Sequence, residues 1–360
     1  MRVLACATEG AGGEDERRLR ALVAAYDATF FTFSKREKRA SAIRLLQLLK
    51  SKQFDLFVME GSGIAGGAAA LLGRWLWNIP YVVSSGDAIA PFLAARHTLG
   101  KPLFALYERA LYANCSGFIG WTPYLVGRAL SSGAPRAITI PGWAPFTLAK
   151  EDLLEARRSI RERFHIPDDA VVFGIIGSLN WSQRYQYCYG AELVRAARLR
   201  KSPAYVLVVG DGSGLPFLRE LAGDQLGSTI LLPGRIPRDE VPSYLAAMDI
   251  GCIPQSVNAV GSFRYTTKLS EYRAAGLPFV SNQIPMAYDL DDGKILRLPG
   301  NSPWDPVFID SLSKLMATLS MQEVAAKARI PSSYSEFNRE SQIARVTSFL
   351  RDVLSAHENR

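Results

Sequence analysis

Twice along this chain, short apolar runs of strand length alternate with longer segments of helical character, and most of the runs end in a polar or glycine-containing loop. The first series comprises Arg2 to Ala7, Ala28 to Phe33, Leu56 to Met59, Tyr81 to Ser84, Gly117 to Trp121 and Ala137 to Ile140. The second comprises Val171 to Ile176, Tyr205 to Val209, Thr229 to Leu232, Ile250 to Ile253 and Phe279 to Val280. A helix between two strands returns the chain to the starting edge, so the next strand adds in parallel. The expected fold class is therefore α/β, with two doubly wound Rossmann-like domains. A length of 360 residues agrees, since it exceeds one ordinary core and suits two domains of about 150 residues.

The first domain is expected over 1–150. A charged helix-like segment, Glu151 to Phe164, and the turn Ile166-Pro167-Asp168-Asp169 read as the linker, and the second domain as 165–330. Beyond Pro331, apolar residues Ile343, Val346, Phe349, Leu350 and Val353 recur at helical spacing, predicting a terminal amphipathic helix over 334–356.

Composition narrows the setting. Hydrophobic content of 48% and charged content of 21% suit a soluble globular protein. The opening Met1 to Ala7 is too short an apolar run for a signal peptide, and Ala68 to Tyr81 is interrupted by Arg74, Asn78 and Pro80. A cytoplasmic location is expected, with Cys6, Cys115, Cys188 and Cys252 as reduced thiols. No zinc-type His/Cys spacing occurs, so neither a metal nor a cofactor is expected. A formal charge of +8 favours an anionic partner: a nucleotide diphosphate, an acidic glycolipid or a membrane face.

The chemistry concentrates at Lys268-Leu269-Ser270-Glu271-Tyr272-Arg273-Ala274-Ala275-Gly276-Leu277-Pro278. Thr266 or Thr267 can cap a helix that Gly276 and Pro278 end, which sets Glu271 about one turn inside it. The preceding Val260-Gly261-Ser262-Phe263-Arg264 loop is expected to offer backbone N–H groups to an anion. Equally, this is an ordinary exposed helix with a Lys268–Glu271 pair. Earlier patterns come in a fixed order: Phe173 to Asn180 with Arg184 after it, Val208-Val209-Gly210-Asp211-Gly212, Leu232-Pro233-Gly234-Arg235-Ile236-Pro237, and Glu240 to Ile250. In order and spacing the series resembles the donor-binding domain of retaining glycosyltransferases of family 4. The resemblance is good over about 165–285 and looser elsewhere.

The resemblance implies the GT-B fold, in which two Rossmann-like domains face across a cleft and the last helix crosses back to the first domain. The first domain would serve the acceptor and the second a nucleotide-sugar donor. Glu271 looks like the second glutamate of the family's Glu-x7-Glu motif, which holds the donor ribose, and Phe263 stands where the first glutamate is usual. Arg184 resembles the basic residue on the donor diphosphate. Ser178, beside Gly177, stands where an arginine is usual, and Arg264 or the amides from Ser262 to Arg264 are the candidates to compensate. Arg235 and Ile236 would border the base. On the acceptor side Asp87, in Ser84-Ser85-Gly86-Asp87, takes the region where the family commonly has a histidine, and Glu60 ranks second; a turn role for Asp87 is the alternative. Asp87, Arg184 and Glu271 form the expected catalytic set.

The expected function is transfer of a sugar, with retention and without a metal, from a nucleotide diphosphate sugar to a hydroxyl of a saccharide or lipid-linked acceptor. A role in cell-envelope or polysaccharide biosynthesis fits, and no nucleic-acid partner is expected. The departures at Phe263 and Ser178 keep a noncatalytic binding or scaffold relative in view, and the shared fold an epimerase. A basic turn heading the Leu-rich stretch 35–50 either rests on anionic lipid as a peripheral contact or packs Ile43, Leu46 and Leu49 on the sheet with its cations solvated. For Leu76-Trp77 and Phe104 to Tyr112, packing comes first and an acceptor surface second.

Overall fold

The computed structural model describes residues 1–34, 36–61, 63–146, 150–199, 204–328 and 337–359. They form two compact units, Met1–Gly142 with Phe263–Tyr265 and Ser335–Arg360, and Trp143–Ser262 with Thr266–Tyr334.

In the first unit the order is β1 (Arg2–Ala7), α1 (Glu14–Leu22), β2 (Asp27–Phe31), α2 (Lys38–Lys50), β3 (Leu56–Glu60), α3 (Ile64–Trp77), β4 (Tyr81–Ser85), α4 (Ile89–Arg96), α5 (Lys101–Asn114), β5 (Gly117–Gly120), α6 (Pro123–Ser131) and β6 (Ala137–Thr139). The strands form one parallel sheet ordered β2-β1-β3-β4-β5-β6. β3 and β4 are buried along their whole length, as befits central strands covered on both faces. β1 pairs with both β2 and β3, so the direction in which the chain builds the sheet reverses between β1 and β3. The terminal helix, Arg339–Glu358, is capped by Asn338, which accepts from the Ser341 N–H at 2.8 Å. It packs in this unit, where the Gln342 amide exchanges hydrogen bonds with the Gly142 backbone at 2.8 and 2.7 Å. Of the helix expected over 334–356, residues 334–336 lie outside the described residues.

The second unit runs α7 (Lys150–Arg163), β7 (Val172–Ile176), α8 (Ala191–Leu199), β8 (Tyr205–Val209), α9 (Leu215–Ala222), β9 (Ile230–Gly234), α10 (Val241–Ala247), β10 (Ile250–Ile253), α11 (Lys268–Ala274), β11 (Phe279–Asn282), α12 (Met286–Asp289), β12 (Ile295–Leu298), α13 (Pro306–Thr318) and α14 (Met321–Ala328). Its parallel sheet is ordered β12-β11-β10-β7-β8-β9, with the reversal between β7 and β10.

Two features depart from expectation. The units divide at Gly142 and Trp143, and α7, read as linker, belongs to the second. Its Arg157 and Arg161 bind the buried Asp249 carboxylate at 2.6 and 2.5 Å, while Asp249 also accepts the Val172 N–H at 2.7 Å. Arg161 is 3% exposed, and a cation buried that deeply holds its helix to the sheet that supplies the counterion. β12 is the other departure, a four-residue strand whose Ile-Leu-Arg-Leu lies below the length at which a period can be read.

α2 follows neither of its readings fully. Leu45 and Leu49 are buried and Leu46 is half-buried, but Ile43, expected on the sheet, is 57% exposed. Lys35 lies outside the described residues. Among the described residues no helix is long and apolar enough to cross a membrane.

Candidate active site

In open parallel sheets a ligand crevice forms beyond the carboxyl ends of the strands where the build direction reverses, because the flanking loops diverge there. Each unit has one such point, and each gathers polar side chains.

In the first unit that point is held by Thr8, after β1, and Glu60, ending β3. The Thr8 hydroxyl donates to the Glu60 carbonyl at 3.1 Å and accepts from the Gly63 N–H at 3.1 Å. Glu60 is buried; Trp121, after β5, donates its indole N–H to Oε1 at 3.3 Å, and Arg18 of α1 approaches Oε2 at 3.7 Å. Burial pushes the Glu60 carboxyl up to about 7, against the opposing pull of Arg18. Burial lowers the Arg18 pKa in turn, with Glu60 acting against it. The Arg18 guanidinium lies 4.3 Å from the Trp121 ring centroid and donates to the Ile140 carbonyl at 2.7 Å. Glu60 Oε2 and Ser84 Oγ are both buried, and a hydrogen bond from the Ser84 side chain also opposes the upward shift of the Glu60 carboxyl. A carboxyl group near 7 exchanges protons readily at neutral pH.

Asp87 follows β4 in a turn closed by Ser85, whose hydroxyl donates to the Asp87 carbonyl at 2.8 Å. Its carboxylate accepts from Arg264 Nε at 2.7 Å. Phe263 and Tyr265 flank that contact: the Phe263 ring lies edge-on to Tyr124 at 5.7 Å, and Tyr265 packs edge-on to Trp121 at 5.3 Å. Arg264, a candidate to compensate for Ser178, is thus paired with the candidate acceptor-side carboxylate. Phe263, at the position of the absent glutamate, packs as an aromatic against the first unit's core.

In the second unit the reversal lies between β7 and β10. Gly177 and the exposed Ser178 leave β7. Beside them runs Gly210-Asp211-Gly212, and the Asp211 carbonyl accepts the Leu179 N–H at 2.9 Å. Gly210 and Gly212 have φ of +142° and +156°, and a Cβ on Gly210 would stand 1.8 Å from the Gly177 carbonyl oxygen. Only glycine lets these two loops lie backbone against backbone. The first residue of α11, Lys268, reaches over this floor: its ammonium lies 2.9 Å from where a Gly177 Cβ would be and 5.0 Å from the Tyr189 ring centroid. Glu271, half-buried, follows one turn later with its N–H on the Thr267 carbonyl at 3.1 Å.

The other expected donor residues are placed as follows. Arg184 stands at the exposed tip of a turn closed by the Ser182–Tyr187 bridge, its guanidinium 5.4 Å from the Tyr185 ring, which stacks on Trp304 at 4.7 Å. Arg235 is exposed and Ile236 half-buried after β9, whose Gly234 carbonyl accepts the Gly210 N–H at 2.9 Å. The loop ahead of α11 differs from expectation. The Val260 and Gly261 N–H groups both donate to the Asn258 side chain at 2.9 Å, and the Ser262 N–H donates to the Asn258 carbonyl at 3.0 Å. These three amides are therefore engaged within the loop. Neither Thr266 nor Thr267 caps α11 through its hydroxyl. With seven residues α11 adds little dipole of its own, and the charge at its start is that of Lys268.

Sequence reasoning passed over Lys268, Arg18 and Glu192. Lys268 was visible as the head of the motif, but its i,i+3 relation to Glu271 gave it a surface role. Arg18 shares the buried face of α1 with Leu19 and Leu22. Glu192 of α8 is fully buried, accepting from the Tyr187 hydroxyl at 2.7 Å and the Gly190 N–H at 3.0 Å. An acid in a helix's first turn normally reads as solvated, which concealed it.

The sequence family described as "Glycosyl transferase 4-like domain" matches residues 1–143, and "Glycosyl transferases group 1" matches residues 170–315. This chain is a GT-B glycosyltransferase. No curated protein sequence matches it. Among solved structures, this glycosyltransferase is similar to HepE of Anabaena in complex with UDP and glucose, at 14% identity and TM-score 0.66 over 99% of this chain and 100% of that one. It is also similar to sucrose-phosphate synthase of Thermosynechococcus elongatus, at 14% identity and TM-score 0.68 over the same shares. WaaG, a glycosyltransferase involved in lipopolysaccharide biosynthesis, aligns at 16% identity and TM-score 0.65 over 96% of this chain and 99% of that one.

Proposed function

We propose that this glycosyltransferase moves a sugar from a nucleoside diphosphate sugar to a hydroxyl of a saccharide or lipid-linked acceptor, with retention of configuration and without a metal ion. The observation that carries the reading is the Lys268 ammonium over the glycine floor at Gly177, at the reversal point of the second sheet, with Glu271 one turn on. As the bond to the diphosphate breaks, negative charge grows on the leaving phosphate. A preorganised cation stabilises that charge more than it does the ground state. Lys268 takes this role with Arg184, and Glu271 holds a sugar hydroxyl of the nucleotide. HepE with UDP-glucose supports a nucleotide-sugar donor, and the family 4 resemblance supports retention. WaaG supports a place in cell-envelope synthesis. Four buried free cysteines support a reducing, cytoplasmic setting.

On the acceptor side Asp87 and Glu60 are the groups able to orient a hydroxyl, and Glu60, which burial raises to about 7, is suited to accept its proton. The test is release of nucleoside diphosphate from UDP-, GDP- and ADP-sugars, with EDTA present, alongside calorimetry of nucleoside against diphosphate. One donor class should turn over in EDTA, and the diphosphate should bind far more tightly than the nucleoside. Equal affinity for the two would refute the donor site. Loss of turnover in EDTA with recovery on Mg²⁺ or Mn²⁺ would refute the metal-free mechanism.

A further inference from the structure

We infer that one small monovalent anion, of the size of chloride, binds between Arg74 and Arg136 at the amino-terminal end of the first sheet. Arg74 lies in the last turn of α3, and Arg136 immediately precedes β6. Both side chains are half-buried and line one cavity of about 20 Å³, closed by Ser116 ahead of β5 and by Val353, Ala356 and His357 of the terminal helix. That volume admits one water-sized particle and excludes a nucleotide or a sugar. Glu60 and Asp87 stand at the carboxyl ends of the strands, so this site is separate from the candidate active site.

Two cations converge there without a carboxylate. The Arg74 guanidinium donates to the Asn78 side chain at 2.8 Å and meets His357 Nδ1 at 3.1 Å, while Arg136 donates to the Asp352 backbone carbonyl at 2.8 Å. Among the described residues neither guanidinium forms an ion pair. A guanidinium only donates, so His357 receives it on an unprotonated Nδ1 and adds no charge. Burial pushes the Cys115 thiol, in the cavity wall, up to about 12, so no thiolate serves as counterion. The carboxyl ends of α3 and of the terminal helix offset part of the charge, each being equivalent to roughly half a negative charge. Against two guanidiniums that leaves roughly one positive charge, and a half-buried charge left unbalanced is costly. A monovalent anion balances it, with the Ser116 hydroxyl as a further donor. The ion would tie the end of α3, the β5 and β6 edge and the terminal helix to one another. It touches neither donor nor acceptor, so the inference stands or falls apart from glycosyl transfer.

The experiment is thermal unfolding of the full chain in chloride and in gluconate at constant ionic strength, with diffraction from bromide-soaked crystals to locate the ion. Wild-type Tm should rise with chloride alone, by roughly 3 to 6 °C for each tenfold increase above half-saturation. Bromide should give an anomalous peak between Arg74 and Arg136. Arg74→Gln/Arg136→Gln should lose the chloride response. Ala356→Glu keeps both guanidiniums and brings a carboxylate to the cavity wall, so it should raise Tm in gluconate and also abolish the response. The inference is overturned if wild-type Tm is the same in both salts, if the response survives in Ala356→Glu or in the double variant, or if bromide leaves the cavity empty. It is equally overturned if UDP displaces the bound bromide, which would put the anion in the donor site.

Discussion

Glu192→Gln isolates the cost of burying a carboxylate inside the second unit. Glu192 lies at the start of α8, fully buried, with the Cys252 thiol 3.6 Å from its second oxygen. Burial pushes its pKa from an ordinary 4.5 up to about 7, outweighing the hydrogen bond from Tyr187. Well below pH 4.5 the group is protonated in both folded and unfolded chains and costs little, and at pH 4.5, where half of it is ionised in the unfolded chain, the cost is still small. As pH rises towards 7 the unfolded chain releases the proton while the folded one keeps it, so stability falls, and above the folded pKa the loss levels off. A rise from 4.5 to about 7 is worth about 3 kcal/mol at alkaline pH. Glutamine retains an acceptor for Tyr187 and the Gly190 N–H and offers an N–H towards Cys252, without the charge. The variant should match the wild type in urea unfolding near pH 4.5 and exceed it by about 3 kcal/mol at pH 8, in the transition that reports the second unit. Because every other titrating group is common to both proteins, their difference isolates Glu192. A difference that does not change with pH, or a variant weaker than wild type at pH 8, would refute the reasoning.

Three further outcomes are expected. Glu271→Ala should lower kcat/KM for the preferred donor about tenfold to a hundredfold with Tm retained, the equivalent of a lost charged hydrogen bond of roughly 1.5 to 3 kcal/mol; wild-type kinetics would remove Glu271 from the site. Lys268→Met should weaken nucleoside diphosphate at least roughly tenfold and leave nucleoside unchanged in calorimetry, with Gly177→Ala acting in the same direction because its Cβ would displace the ammonium. Arg184→Ala with diphosphate shows whether the second cation contributes, and diphosphate affinity unmoved by Lys268→Met would assign the charge elsewhere. Asp249→Ala should destabilise the second unit by about 3 to 5 kcal/mol, since it strands the buried Arg161 guanidinium; a shift below about 1 kcal/mol in chemical unfolding would show that solvent reaches that cation.

Local pattern carried the sequence reading a long way. Runs such as Tyr205 to Val209 and the stop at Gly276, with φ of +65° and the Leu277 N–H on the Tyr272 carbonyl at 2.8 Å, were legible because they depend on neighbours within a few residues. So were the parallel sheets, the two units and the position of Glu271 on α11. Side-chain destinations were not legible. Val260 to Ser262 reads as an open loop until Asn258 takes up its amides, and Arg264 reads as a cation for phosphate until Asp87 binds it. Nothing local in Gly210-Asp211-Gly212 shows that the Gly177 carbonyl lies against it. The chain by itself determined the strands, the helices and their alternation, because these follow from periodicity and backbone stereochemistry. Only the tertiary structure decided the strand order, hence the two reversal points, and which charges meet there. Lys268 lies 91 residues from Gly177, and Glu60 lies 42 from Arg18; separations that long carry no local signal and are closed only by the packing of whole sheets.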